Sequence, residues 1–218
     1  MFICLKIMIH SIIITFQDFF MAGTHTSASA IEWSLAKLIN HPTVLEKARM
    51  EMDKVVGNNR LVEESNYRLP YIQAIIKETL RLHPPIPLIS RKSMKECLVH
   101  WKGPQVLGKS NGIQAWEWFL QSNERDGPGV IDVKGQHFEL LPFGTGRRGC
   151  PGLSLAMQEV LTILAVMIQC FDRRVISPSG VKTNVVDMIE SPGLTIPRAN
   201  DLVYVPVPRF SMNNVLNP

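Results

Sequence analysis

Residues 142–152 read Pro142-Phe143-Gly144-Thr145-Gly146-Arg147-Arg148-Gly149-Cys150-Pro151-Gly152, and the stretch from Leu153 to Phe171 that follows is apolar nearly all round. The pattern is a glycine-rich loop that feeds a buried helix, with one cysteine at the junction. Pro151 falls where a helix best tolerates proline. A helix N-terminus presents free N–H groups and a positive dipole end, both of which stabilise a thiolate. Arg148 adds a cation nearby. Gly146, Gly149 and Gly152 allow backbone to come close to a large flat object. A thiolate held in this way serves either as a metal ligand or as a nucleophile. The nucleophile needs a base, and only His137 stands near Cys150 in sequence.

Working outward, 218 residues are enough for one ordinary domain or two small ones. Hydrophobic residues make up 45% and charged residues 19%, which excludes intrinsic disorder. The net charge of +4 is spread without a long basic run, so a nucleic-acid partner is not expected. Cys4, Cys97, Cys150 and Cys170 lie far apart with no Cys-x-x-Cys pair, which argues against zinc fingers and a disulfide framework.

Fourteen of the first twenty residues are Met, Phe, Ile, Cys or Leu, interrupted by Lys6, His10 and Asp18. This run is either the apolar start of a buried helix or a membrane contact of marginal length. Helical pattern continues from Asp18 to Asn40, with Phe19, Ala22, Ala30, Trp33 and Leu38 available to a core. Within it, Ala22-Gly23-Thr24-His25-Thr26-Ser27 is poor local helix chemistry, which a kink, a ligand-facing groove or close packing of two helices would explain. A second helix is predicted from Pro42 to Val56, stopped by Gly57. A third is predicted from Tyr71 to Leu82, ended by Pro84-Pro85. Glu78 and Arg81 lie three apart on its face. The segment from Cys97 to Val130 holds Trp101, Trp116 and Trp118 and has no clear period. From Val175 to Phe210, short strands and turns are expected, including Leu202-Val203-Tyr204-Val205.

The string Phe143-x-x-Gly146-x-Arg148-x-Cys150-x-Gly152 resembles the haem-binding loop of cytochromes P450. Glu78-Thr79-Leu80-Arg81 resembles the family's Glu-x-x-Arg helix, and Ala22 to Ser27 resembles its oxygen-activating helix, in the family's order. Pro192 to Ala199, Gly135-Gln136-His137-Phe138 and Lys77 to Pro85 are similar to plant microsomal members, closest to the flavone synthases, isoflavonoid synthases and pterocarpan hydroxylases.

The resemblance implies a mainly α fold with a minor β portion, here only the C-terminal part of the P450 fold. It implies haem b with Cys150 as axial thiolate ligand, Arg148 on a haem propionate, and Phe143 shielding the sulfur side of the ring. Gly146 and Gly152 complete the cofactor loop. Thr26 would steer protons toward the oxygen being activated, Gly23 would make room for it, and Glu78 and Arg81 would be structural. The implied partners are an NADPH-dependent cytochrome P450 reductase and a flavonoid-like small molecule. The implied setting is a monomer on the cytosolic face of the endoplasmic reticulum membrane.

Three departures accompany the resemblance. Residues 1–17 form an atypical apolar leader before a partial domain over 18–210, with a tail at 211–218, so most substrate-contacting sequence of the family is expected to be missing. His25 stands where the family carries Asp or Glu, which predicts altered proton delivery. Within the divergent segment 101–130, Trp118 stands where an arginine would complete a network with Glu78 and Arg81, and Arg125 is a displaced substitute. The expectation is a haem–thiolate monooxygenase impaired by truncation. The alternatives are a non-catalytic haem-binding fragment and an inactive product of an altered gene.

Overall fold

The computed structural model describes residues 2–57, 60–63, 68–88, 131–137, 140–175 and 185–209, with side chains from residue 13 onward except 173–174. Cys97, the divergent segment with Trp101, Trp116, Trp118 and Arg125, and the tail 211–218 lie outside the described residues.

The order of elements is α1 (Phe2–Asn40), α2 (Pro42–Val55), α3 (Pro70–Leu82), a short 3-10 turn (Gly146–Arg148), α4 (Leu153–Cys170), β1 (Phe171–Val175) and β2 (Tyr204–Pro208). The fold is therefore mainly α with a small β portion, as expected. Proline opens both α2 and α3 at the first turn, where its missing N–H costs nothing. At the far end of α2, Gly57 takes φ +80°, and its N–H and that of Val56 both reach the Met52 carbonyl. That left-handed residue is the stop the sequence predicts.

One core joins the four helices. Leu35 and Leu38 of α1, Val44, Ala48 and Met52 of α2, Ile72, Ile75 and Ile76 of α3, and Leu164 and Ile168 of α4 are all buried in it. α1 packs along both α4 and α3. β1 and β2 pair antiparallel from Phe171 opposite Pro208 to Val175 opposite Tyr204. A further bridge between Glu190 and Arg198, with Ser191 N–H donating to the Pro197 carbonyl, closes a hairpin-like turn over residues 190–198.

Several expectations are corrected. α1 runs unbroken through residues 22–27 instead of kinking. A Cβ added at Gly23 would meet nothing within 4 Å, so close helix packing does not account for this glycine. Residues 13–25 are exposed. Phe19 is 63% exposed, while Ala30, Trp33 and Leu38 are buried as expected. α4 is also less enclosed than its composition suggests. Only Val160, Leu161, Leu164, Ala165, Ile168 and Gln169 are buried, and Leu155 is 70% exposed. α4 starts at Leu153 with Gly152 as its N-cap, which leaves Pro151 outside the helix. Phe171 begins a strand, because pairing with Pro208 supersedes the helical pattern that runs up to it.

Candidate functional site

The cysteine loop is held by backbone. Cys150 N–H donates to the Phe143 carbonyl at 2.9 Å, and Gly149 N–H donates to the Gly146 carbonyl at 3.0 Å. Two positions in it need glycine for conformation, Gly144 at φ +70° and Gly146 at φ +69°. The Gly149 position is tight, since a Cβ there would lie 3.2 Å from the Gly146 oxygen. At Gly152 a Cβ would make only ordinary contact, 3.9 Å from Cys150 Sγ.

A second turn, over residues 133–136, braces the first. Thr145 Oγ1 donates to the Gly135 carbonyl at 2.8 Å. Gly135 has φ +79°, and a Cβ there would come within 2.9 Å of the Gly144 oxygen. Sequence reasoning noted Gly135 only as part of a family resemblance. A glycine ahead of a small loop residue was the available signal, but the partner lies ten residues on and could not be read.

The loop presents Cys150, a free and exposed thiol, one residue ahead of the Gly152 N-cap's neighbour Pro151. Arg147 and Arg148 are exposed on the 3-10 turn, whereas Phe143 is half-buried and packs on the core. The thiol, a cation and an apolar side chain therefore lie on one short loop whose conformation is fixed by hydrogen bonds. That donor set fits a large, flat, anionic-edged iron cofactor: a soft thiolate suits the metal, Arg148 suits a carboxylate, and Phe143 suits a ring. Among the described residues no cluster of three His, Cys, Asp or Glu side chains is placed to hold a metal ion.

Glu78 and Arg81 form a bidentate pair on α3, with Arg81 Nε 2.7 Å from Glu78 Oε2 and Arg81 Nη2 2.8 Å from Oε1. Their side chains are only 5% and 8% exposed, far from the surface pair whose worth is a few tenths of a kcal/mol. Lys37 of α1 feels both partners; burial lowers its pKa, Glu78 raises it and Arg81 lowers it. Arg81 also lines a shallow groove with Leu80, Pro84, Leu140 and Pro142, which sets α3 beside the approach to the cysteine loop.

On α1, Thr26 is half-buried and its hydroxyl donates to the Ala22 carbonyl at 2.7 Å, while Thr24 donates to Phe20 at 2.8 Å. His25 and Gly23 are exposed. Gly23, His25 and Thr26 lie on α1, and Cys150 lies on the loop ahead of α4.

A cluster that the sequence did not announce lies where α1, α3 and the 190–198 turn meet. Trp33, fully buried, stacks on His83 with centroids 4.0 Å apart and planes 3° apart. Its Nε1 donates to the Ile196 carbonyl at 3.0 Å. His83 Nδ1 lies 2.9 Å from Glu190 Oε1. Arg198, buried, sits 5.6 Å from the Trp33 ring and pairs with Glu32 and Asp187, each at 3.5 Å. These contacts fasten the C-terminal turn to the two helices.

The helical core carries an exposed cysteine just ahead of α4 and a nearly buried Glu-Arg pair on α3. The Cytochrome P450 family model matches residues 6–105 and 115–202, and this chain belongs to the cytochrome P450 family. It is 47% identical over 216 residues to a 2-hydroxyisoflavanone synthase of Glycyrrhiza uralensis, covering 89% of this chain and 41% of that relative. It is 47% identical over 210 residues to a 3,9-dihydroxypterocarpan 6A-monooxygenase of Glycine max, covering 89% of this chain and 40% of the relative. Cytochrome P450 93B16 of Glycine max is 48% identical over 213 residues, with 89% and 40% coverage. The chain thus spans about two fifths of the length of these relatives, as a C-terminal fragment would.

Proposed function

We propose that this chain carries the haem-ligating part of a monooxygenase that inserts one oxygen atom of dioxygen into a flavonoid-class small molecule. The observation that carries the reading is the exposed Cys150 thiol on a loop locked by its own N–H to Phe143 O. The activities for which the relatives are named supply the substrate class. Cys150 would hold the iron of haem b, Arg148 a propionate, and Phe143 the sulfur side of the ring, with Gly146, Gly149 and Gly152 keeping the loop close. When bound, the haem supplies oxygen activation, to which a thiolate ligand contributes electron density.

The chain's own residues then divide the remaining work. Thr26 is the residue we assign to hold a proton donor's position on α1. Its hydroxyl, anchored on Ala22 O, keeps its lone pairs available to a water or substrate hydroxyl. Gly23 keeps the neighbouring surface of α1 free of side chain, and His25 replaces a carboxylate as the exposed proton relay. Glu78 and Arg81 take a structural role under the groove that leads to the loop. NADPH-dependent cytochrome P450 reductase is the proposed electron donor, and the endoplasmic reticulum surface the proposed location.

A reduced carbon-monoxide difference spectrum of the purified chain supplied with haem tests this. A strongly red-shifted Soret band that disappears in Cys150→Ser supports the reading; its absence in soluble, helical protein overturns it. The alternative is a haem-binding unit without turnover. A thiolate spectrum combined with no substrate-dependent NADPH consumption in the presence of reductase would select that alternative.

A further inference from the structure

Where α1, the end of α3 and the 190–198 turn meet, one imidazole sits in surroundings that suit its charged form. His83 is the C-cap of α3, its backbone N–H on the Thr79 carbonyl at 2.8 Å. A helix C-terminus is the negative end of the helix dipole and favours a cation. The ring lies flat on Trp33, with centroids 4.0 Å apart, and an indole face attracts a cation. His83 Nδ1 lies 2.9 Å from Glu190 Oε1, and its side chain is only 12% exposed. A neutral ring can donate one N–H there. An imidazolium adds its charge, and the hydrogen bond becomes the stronger, charge-assisted kind.

Charges reach this spot from every element around it. α1 brings Glu32, α3 brings Arg81, and the C-terminal segment brings Asp187, Glu190 and Arg198. Arg81 is taken up by both carboxylate oxygens of Glu78. Arg198 lies 3.5 Å from Glu32 and 3.5 Å from Asp187. It also sits 5.6 Å from the Trp33 ring and is the cation that opposes a second positive charge there. Three carboxylates thus meet one guanidinium, and a proton on His83 reduces the excess of negative charge in a partly buried place.

The contact reaches beyond the pair. Ile196 is held on both sides: its carbonyl accepts the Trp33 Nε1–H at 3.0 Å, and its N–H donates to the Pro85 carbonyl at 3.0 Å. Pro84 and Pro87, flanking Pro85, wall the groove that Arg81 and Pro142 also line. Glu190 bridges to Arg198 across the turn. His83 therefore ties one arm of the turn through Glu190, and the other arm is tied to the groove wall through Ile196.

We infer that His83 and Glu190 form a proton-operated clamp on the 190–198 turn, which grips when the imidazole is charged and the carboxylate ionised. The folded chain then holds the imidazole proton more firmly than the unfolded chain, so this stability is lost as pH rises through the imidazole range. It is also lost in more acid solution, as the carboxylate is neutralised. The grip is strongest between the ordinary carboxylate and imidazole ranges, about pH 4.5 to 6.5. Neither haem nor substrate is needed for the clamp to work.

The test is amide exchange of the full 218-residue chain without added haem, followed by NMR at Ile196 and Ser191 and corrected for the intrinsic rate at each pH. Protection at pH 6 should exceed that at pH 8 by at least about threefold. His83→Gln keeps a donor but removes the titration, and Glu190→Gln keeps the shape but removes the charge; both should flatten the profile. The His83 ring C–H resonance should titrate over the same range as the protection, with a midpoint that falls by at least about 0.5 pH unit in Glu190→Gln. Equal protection at pH 6 and pH 8 in the unaltered chain overturns the clamp, as does a slope that survives in either folded variant. If a variant loses its helical circular dichroism, the unaltered chain decides: coincidence of the His83 titration with the protection profile supports the clamp, and a mismatch overturns it.

Discussion

α3 and the cysteine loop lie close together yet are built on opposite plans. α3 is closed: seven of its side chains besides Glu78 are buried, and Glu78 has both carboxylate oxygens on Arg81. The loop is open, with Gly146, Arg147, Arg148 and Cys150 exposed, and its shape comes from backbone hydrogen bonds and left-handed glycines. A structural pair gains from having every lone pair occupied in a dry setting. A ligand-bearing atom must be left uncommitted, so stiffness has to come from the main chain around it.

The contrast predicts a graded series of effects on unfolding free energy, measured by urea titration. Glu78→Ala removes the carboxylate that holds Arg81 Nε and Nη2 in a nearly buried setting and should cost about 3–5 kcal/mol. A cost of a few tenths would mean that the pair behaves as a surface one and the contrast fails. Gly135→Ala attacks the brace from the loop side, because φ +79° and a 2.9 Å approach to Gly144 O leave no room for a methyl group; about 1–3 kcal/mol is expected.

Glu51 tests the closed side by pH. Its carboxylate accepts the N–H groups of Tyr71 and Ile72 at the start of α3, yet burial raises its pKa above the ordinary glutamate value of 4.5. A carboxylate whose folded pKa is raised stabilises the fold in its protonated form. Its contribution is therefore present below that ordinary value and is lost as pH rises through the higher folded pKa. Glu51→Gln should flatten this dependence, at a net cost of about 1 kcal/mol for the hydrogen bond lost at neutral pH. An unchanged pH profile would remove Glu51 as its source.

Cys150→Ser should have the smallest effect on folding, within about 0.5 kcal/mol, because the side chain is exposed. The same substitution should erase a thiolate spectrum. A large loss of stability would show that the thiol is part of the packing after all.

The local devices were legible in the sequence. Pro42 and Gly57 bracket α2, Glu78 and Arg81 share a helix face, and the loop from Phe143 to Gly152 declares its glycines and its cysteine. What escaped was set by distant partners. The strand at Phe171–Val175, with Asp172, Arg173 and Arg174 in it, has no alternating pattern and exists because β2 pairs with it. Burial of Arg198 depends on Glu32 and Asp187, and the role of Trp33 depends on His83 and Ile196. The start of α1 was left open for the same reason: composition reports that a side chain seeks cover, not what covers it.

The link from Trp33 to Ile196 also has a consequence in time. It closes a span of 163 residues, and contacts of such separation form late because loop-closure entropy precedes any reward. During synthesis, α1, α2 and α3 emerge long before the turn that clamps them. Trp33 therefore waits, unsealed, until Ile196 has left the ribosome, and that interval is when the chain is most exposed to chaperones and to its own neighbours.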